Sequence, residues 1–344
     1  MAGSALREGA SSDSCMLTVS HLSLAVRIDE AWVQAVRDIS FTLHAGRVLA
    51  LVGESGCGKS LTAQALLRLG EHQGVRREQG DVALQGESIL DFDSERLRRM
   101  RGGSIAMVFQ EPMTALNPVF TVGSQIVDVI RNHLPLSRVA ARERAIELLA
   151  DVEMDEPAEL LERYPGELSG GMRQRVLIAM ALSADAPILV ADEPTTALDV
   201  SVQKRILALL RSLQRSRNLA LLLVTHDFGV VAEMADEVAV MYAGQIVEQG
   251  SVRQIFDHAA HPYTQALLLC RPEMAIEGEP LANISGQVPS PGSWPVGCHF
   301  AARCPLADSG CRAQPVALTS CVNPSGSDGG EGHSVRCLHP QQRL

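Results

Sequence analysis

Nothing in this sequence approaches the run of roughly 18 to 20 apolar residues that a helix needs to cross a bilayer. Residues 1–13 are small and polar and lack the apolar core of a secretion signal. The expectation is a chain that stays in the cytoplasm and meets a membrane only through partners. Aromatic residues make up 3% of the sequence, so any core must be aliphatic. Basic residues are outnumbered, with 30 Lys and Arg against 40 Asp and Glu and a formal net charge of −10. That balance supplies no counterion-releasing surface and argues against a nucleic-acid partner. The one short basic run, Arg96, Arg98, Arg99 and Arg101, reads as the solvated face of a helix. Heptads and internal repeats are also missing, which excludes a long coiled coil and a duplicated architecture.

What is present is a chain of 344 residues with 46% hydrophobic and 20% charged residues, the composition of a globular protein. Its length suits two unequal domains. Eight cysteines are placed unevenly, and five of them, Cys298, Cys304, Cys311, Cys321 and Cys337, fall in a loop-rich tail. A reducing compartment disfavours disulfides there. Four thiolates in a tail this poor in apolar runs suit a metal centre, although the spacing does not choose between zinc and an iron–sulfur cluster.

Residues 17–26 and 33–43 alternate apolar and β-branched residues and predict half-buried antiparallel strands. The compact apolar run 48–52 predicts a strand leading into a glycine-rich loop at 53–60, and helical spacing follows over 61–69. A further strand is predicted at 105–109, then turn-forming residues 111–118. Helices are predicted over 138–149, 170–182 and 200–213, and a hairpin over 238–242 and 245–248. The wholly apolar runs 188–191 and 221–224 match parallel strands buried on both faces. Such alternation predicts an α/β fold with a mainly parallel, doubly wound sheet. From about residue 280 the chain turns to Pro, Gly, Ser and Cys, and the domain boundary is expected near residue 255.

Gly53, Glu54, Ser55, Gly56, Cys57, Gly58, Lys59 and Ser60, with Leu61 next, form a phosphate-binding loop between a strand and a helix. Its backbone N–H groups would face the phosphates, Lys59 would offer a cation to them, and Ser60 would ligate Mg²⁺. Asp192 and Glu193 follow an apolar strand, where carboxylates emerge at the sheet edge that binds phosphates. Asp192 is expected to hold Mg²⁺ and Glu193 to polarise an attacking water. Ser169, Gly170 and Gly171 open a helix and offer a second anion site. Two phosphate sites facing different ways imply ATP sandwiched between two subunits.

The segment Leu168-Ser-Gly-Gly-Met172 is similar to the signature sequence of ABC ATPases, and the remaining motifs agree: Gln110, Thr196-Ala-Leu-Asp199 and His226. The sequence therefore resembles a P-loop ABC ATPase cassette. That resemblance implies a mainly parallel core, an N-terminal antiparallel β part and a helical subdomain at about 112–183. It also implies that Gln110 senses the γ-phosphate and joins Ser60 and Asp192 at Mg²⁺, that His226 braces the γ-phosphate, and that Asp199 communicates between paired sites. The aromatic ring that such proteins place before the phosphate loop is missing at Val26, and Trp32 is the nearest candidate for stacking on adenine.

Residues 110–118 (QEPMTALNP), 241–250 (MYAGQIVEQG), 261–264 (HPYT) and 297–305 (GCHFAARCP) narrow the resemblance to dipeptide, oligopeptide and nickel import ATPases. The implied organisation is a polar tail at 1–15, the ATPase domain at 16–255, and a Cys-bearing extension at 256–344. The implied partners are two transmembrane permease subunits, a second related ATPase and an extracytoplasmic solute-binding protein, with this chain peripheral on the cytoplasmic face of a bacterial inner membrane. The implied cofactors are ATP, Mg²⁺ and a [4Fe–4S] cluster on Cys298, Cys304, Cys311 and Cys337, with Zn²⁺ as the alternative and Cys321 as the nearest substitute ligand. Peptides are the expected solute, with nickel or a metal chelate as the alternative. A soluble ABC ATPase acting on nucleic acid or the ribosome is disfavoured by the acidic balance and the single cassette.

Overall fold

The computed structural model describes residues 14–110, 115–196, 198–271, 283–321 and 332–340. Most of the polar tail, residues 111–114 of the expected turn, Ala197 and parts of the extension lie outside the described residues. Contacts gather the chain into two compact units, each built from separated stretches. Of the described residues, one unit takes those within 1–17, 42–47 and 84–222, and the other those within 18–41, 48–83 and 223–344. The extension thus shares a unit with the phosphate loop.

In that second unit, Val48–Val52 is buried at every position, as five consecutive aliphatic residues require. It runs parallel to Glu237–Tyr242, with Leu49 opposite Glu237 and Val52 opposite Val240. Glu237–Tyr242 then pairs antiparallel with Gln245–Ser251, with a register shift between Ile246 and Glu248. The two-residue hairpin turn places Ala243 and Gly244 at φ 42° and 79°, the left-handed pair that matches strand twist. Ser334–Val335, from the extension, adds itself antiparallel to Gln245–Ser251, and Thr319–Ser320 adds itself to that. The long strands Cys15–Ile28, Ala31–His44 and Val75–Leu84 belong to a separate sheet with Cys15–Ile28 in the middle.

The first unit is mostly helical. Ile105–Val108 lies parallel to Ile188–Asp192, with Ile105 opposite Ile188. Helices Val122–His133, Arg138–Asp151, Gly170–Ala181 and Val200–Ser216 are each opened by a side-chain cap, from Thr121, Ser137, Ser169 and Asp199. Such caps satisfy N–H groups that a helix cannot pair internally. Along Val200–Ser216 the residues Ile206, Leu207, Leu209, Leu210 and Leu213 recur on one buried stripe. The basic run lies in Ser94–Gly103, where Arg96 pairs with Glu87 while Arg98 and Arg99 pair with Glu95. It is the solvated face that its sequence predicts.

One boundary differs from expectation. The helix after the phosphate loop spans Lys59–Ala65, not 61–69, and Arg68 follows at φ 51°. A left-handed residue cannot continue a right-handed helix, so the chain passes into a short 3-10 turn at Gly70–Gln73.

Candidate active site

The phosphate loop shows why its residue types are fixed. Gly53 has φ 154°, and a Cβ there would lie 2.1 Å from the carbonyl oxygen of Met241. Only glycine permits so close a backbone approach. Lys59 is 4% exposed, and its Nζ donates to the carbonyl oxygens of Gly53 at 2.8 Å and Glu54 at 3.0 Å. Gly244, in the hairpin turn, donates its N–H to the carbonyl of Cys57 at 2.9 Å. Ser60 stands one residue into the helix that the loop feeds. Burial pushes the Cys57 thiol up, so it stays neutral beside Lys59. His226 belongs to the same unit, just past strand Ala220–Thr225, and Asp227 caps the helix Phe228–Met234 that follows. Trp32 is 41% exposed, with the Arg76 guanidinium 4.4 Å from its ring centroid.

The other unit holds the carboxylates. Asp192 is buried at the end of Ile188–Asp192, and Glu193 follows at φ 46°, an unusual conformation for a residue with a side chain. That conformation turns the chain sharply at the strand end. Glu193 Oε2 accepts from Gln110 Nε2 at 2.9 Å and from Thr196 Oγ1 at 2.9 Å. The Gln110 amide nitrogen is thereby committed to the carboxylate, and its oxygen is the atom suited to a cation.

Ser169 accepts from the N–H of Met172 at 3.3 Å and opens Gly170–Ala181. Ser169, Gly171 and Met172 line a cavity with Arg163, Arg175 and Arg205 and with the carboxylates of Glu153, Asp155 and Glu156. Arg175 is paired with Glu153 at 3.1 Å, so the side-chain charges there balance, and what this helix start offers an anion is its N-terminal N–H groups. Asp199 caps Val200–Ser216 through the N–H groups of Ser201 and Val202, and the Ser201 hydroxyl leads the contacts that hold its carboxyl low.

Cys298, Cys304, Cys311 and Cys337 line one small cavity together with His261 and His339. Burial pushes up Cys298, Cys304 and Cys337, the last to about 11. Opposing that rise, backbone N–H groups of Phe300 and Ala301 face Cys298, and those of Leu306 and Ala307 face Cys304. The His339 N–H donates to Cys337 Sγ at 3.3 Å. Amide donors two and three residues beyond a cysteine stabilise a thiolate. Four buried or half-buried sulfurs, three of them so supported, are the donor chemistry of zinc or an iron–sulfur cluster. Asp308, Cys311 and His339 also bring one ligand atom each within 4.8 Å of one another, a mixed donor set that shares Cys311. Cys321 does not line the cavity and packs with Ala260 and Val335.

Sequence reasoning missed three groups. Arg303 forms a bidentate pair with the Glu54 carboxylate, at 2.8 and 3.0 Å, with its side chain 5% exposed. Tyr263 Oη accepts the Glu54 N–H at 2.9 Å. Fully buried Glu248 accepts from the backbone N–H groups of Ala260 and His261 and is paired with His333 at 2.9 Å. Arg303 and Tyr263 stand inside the segments 297–305 and 261–264, but nothing in those runs names a partner 200 or more residues away.

Comparison with known proteins gives two family matches, to "ABC transporter" over residues 36–196 and to "Oligopeptide/dipeptide transporter, C-terminal region" over residues 247–311. The second takes in Cys298, Cys304 and Cys311 and stops short of Cys337. The dipeptide transport ATP-binding protein DppD of Bacillus subtilis is 42% identical over 95% of this chain and 96% of its own length. The oligopeptide transport ATP-binding protein AppD of the same organism is 42% identical over 94% of this chain and 97% of its own length. Among solved structures, the dimeric ATP-binding cassette MJ0796 bound to ADP and phosphate is similar with a TM-score of 0.61 at 27% identity, over 69% of this chain and 99% of that one.

Proposed function

The chain belongs to the ABC transporter family of ATP-binding subunits, and from that premise we propose that it drives the import of di- or oligopeptides. The observation that carries this reading is the union, in one chain, of the ABC transporter match at residues 36–196 with the oligopeptide/dipeptide transporter C-terminal region at residues 247–311.

In this reading Lys59 and the N–H groups of residues 53–61 hold the phosphates, and Trp32 stacks on adenine. Ser60, Gln110 and Asp192 would hold Mg²⁺, whose charge would offset that of the phosphate oxygens. Glu193 accepts the proton of the attacking water, and Gln110, hydrogen-bonded to it, keeps its carboxylate oriented. His226 braces the γ-phosphate. Ser169, Gly170 and Gly171 complete the site of a partner ATPase, and Asp199 links the two. ATP favours the closed pair of cassettes, which shifts the permease subunits, and hydrolysis resets them.

The partners of this reading are two membrane permease subunits, a related but different ATPase and an external binding protein, at the cytoplasmic face of the inner membrane. No helix among the described residues is long and apolar enough to cross a membrane. Cys298, Cys304, Cys311 and Cys337 would hold a [4Fe–4S] cluster, whose chemistry there would be to cross-link the loops that carry them.

Purification from membranes with its partners, followed by reconstitution in liposomes, tests the function. ATP-dependent uptake of labelled di- and oligopeptides is expected once the binding protein is added. Uptake of nickel or a metal chelate in their place would overturn the peptide assignment.

A further inference from the structure

Glu54 sits second in the phosphate loop, and each of its polar groups has a partner within the chain. Its N–H donates to Tyr263, its carbonyl accepts from Lys59, and its carboxylate is held by the Arg303 fork. Arg303 is itself anchored independently of Glu54. Its Nε donates to the Ser285 carbonyl at 2.9 Å, Nη2 to the Ile284 carbonyl at 2.9 Å, and Nη1 to Tyr242 Oη at 3.4 Å. The guanidinium also lies 5.7 Å from the Tyr242 ring centroid and 5.9 Å from that of Phe300. Those rings pack edge-on at 5.2 Å, and Tyr242 packs on Tyr263 at 4.7 Å. One aromatic block therefore fixes both the arginine and the tyrosine that grip Glu54.

A carboxylate in a loop that binds a polyanion is electrostatically adverse unless it is neutralised. Arginine suits the task because its planar fork engages both carboxylate oxygens and stays charged when buried. We propose that Arg303 is a positioning residue for ATP binding. Acting through Glu54, it sets the conformation of the phosphate loop and cancels the one negative charge that the loop carries. The cysteine-rich extension is then part of the nucleotide-binding apparatus. The inference rests on the reading of residues 53–61 as the ATP loop.

The test measures ATP affinity of the full chain by titration with a fluorescent nucleotide, alongside thermal unfolding without nucleotide. Lys59→Ala serves as the control for the loop, and if it leaves binding intact the ATP-loop reading itself fails. With that control positive, Arg303→Gln should weaken ATP binding about tenfold, because it strands a partly buried carboxylate. In the assembled transporter, turnover at saturating ATP should stay within about twofold, a loss in KM and not in kcat. Arg303→Lys keeps the charge without the fork and should fall between the two. The double variant Glu54→Gln with Arg303→Gln should recover most of the affinity, since no orphaned charge remains. Parental affinity in Arg303→Gln would overturn the proposal. So would a double variant as weak as Arg303→Gln, which would show that Arg303 does not act through Glu54. A lowered unfolding temperature with parental affinity in the folded protein would assign Arg303 a purely structural role.

Discussion

Around the phosphate loop, the handles are tied from several directions. Lys59 grips two carbonyls of its own loop, Gly244 holds Cys57, and Tyr263 and Arg303 hold Glu54. Glu193 accepts from Gln110, which is exposed, and from Thr196 three residues on. The residue itself stands in a strained left-handed conformation at the end of a strand. The contrast separates two tasks. A site that binds polyphosphate gains from donors fixed before the ligand arrives. A residue with the role proposed for Glu193, meeting a water at a site that a second subunit completes, would be served by a less enclosed setting.

The sharpest way to break this division is Glu193→Gln. Turnover should fall by at least about a hundredfold, the usual contribution of a general base, while ATP affinity stays within about twofold. Single-turnover hydrolysis and nucleotide titration measure the two halves separately, and near-normal turnover would remove Glu193 from its role. Next in size, Ser169→Arg should cut the ATPase rate of the assembled transporter by about tenfold or more, since a bulky cation blocks the anion site at the head of Gly170–Ala181. ATP binding to the isolated chain should be unaffected. If the isolated chain hydrolysed ATP as fast as the assembly, the need for a second subunit would fall.

A third measurement asks whether the cysteine cavity serves the bound region as a fastener. Anaerobically purified protein should contain iron and acid-labile sulfide, with broad absorption near about 400 nm from thiolate-to-iron charge transfer. Replacing Cys304 and Cys311 by Ser should abolish that absorption and leave ATP binding largely unchanged. Stoichiometric zinc without sulfide would replace the cluster by a zinc site, and absence of any metal would remove the centre.

The smallest effect concerns pH. Burial holds His261 down to about 4, against an ordinary 6.5, while its ring nitrogen caps the helix Pro262–Leu269 by accepting from the Tyr263 N–H at 3.0 Å. The unfolded chain takes up a proton near 6.5 and the folded chain only near 4. Stability from this group is therefore complete above about pH 6.5 and is lost as pH falls towards 4, on the order of 2 kcal/mol by pH 5. Thermal unfolding should show a smaller acid loss in His261→Asn, which keeps an acceptor without the titration. An identical loss would place the acid sensitivity elsewhere.

Much of this was legible from the sequence because the signals are local. The strand, the glycine loop and Lys59 are contiguous, and the paired carboxylates follow an apolar run. The end of the helix after the loop was misjudged because Arg68 is an ordinary helix former whose left-handed conformation is imposed by its surroundings. The four cysteines proposed as ligands do line one cavity, and Cys321 does not join them. The pairing of Glu54 with Arg303 was illegible, since complementary charges 249 residues apart have many equally plausible alternatives. Glu248 was overlooked for a similar reason, as its partners Ala260, His261 and His333 assemble only in three dimensions.

The distance along the chain between Glu54 and Arg303 also has a meaning in time. Synthesis proceeds from the N-terminus at roughly 5 to 20 residues per second. The glycine loop, Glu193 and the helix at Gly170 have thus all been made many seconds before the arginine that steadies the loop exists. If Arg303 acts as proposed, the nascent protein carries those motifs through that interval with Glu54 uncompensated. Its hold on ATP would then be about tenfold weaker until residue 303 is made, the same loss expected of Arg303→Gln.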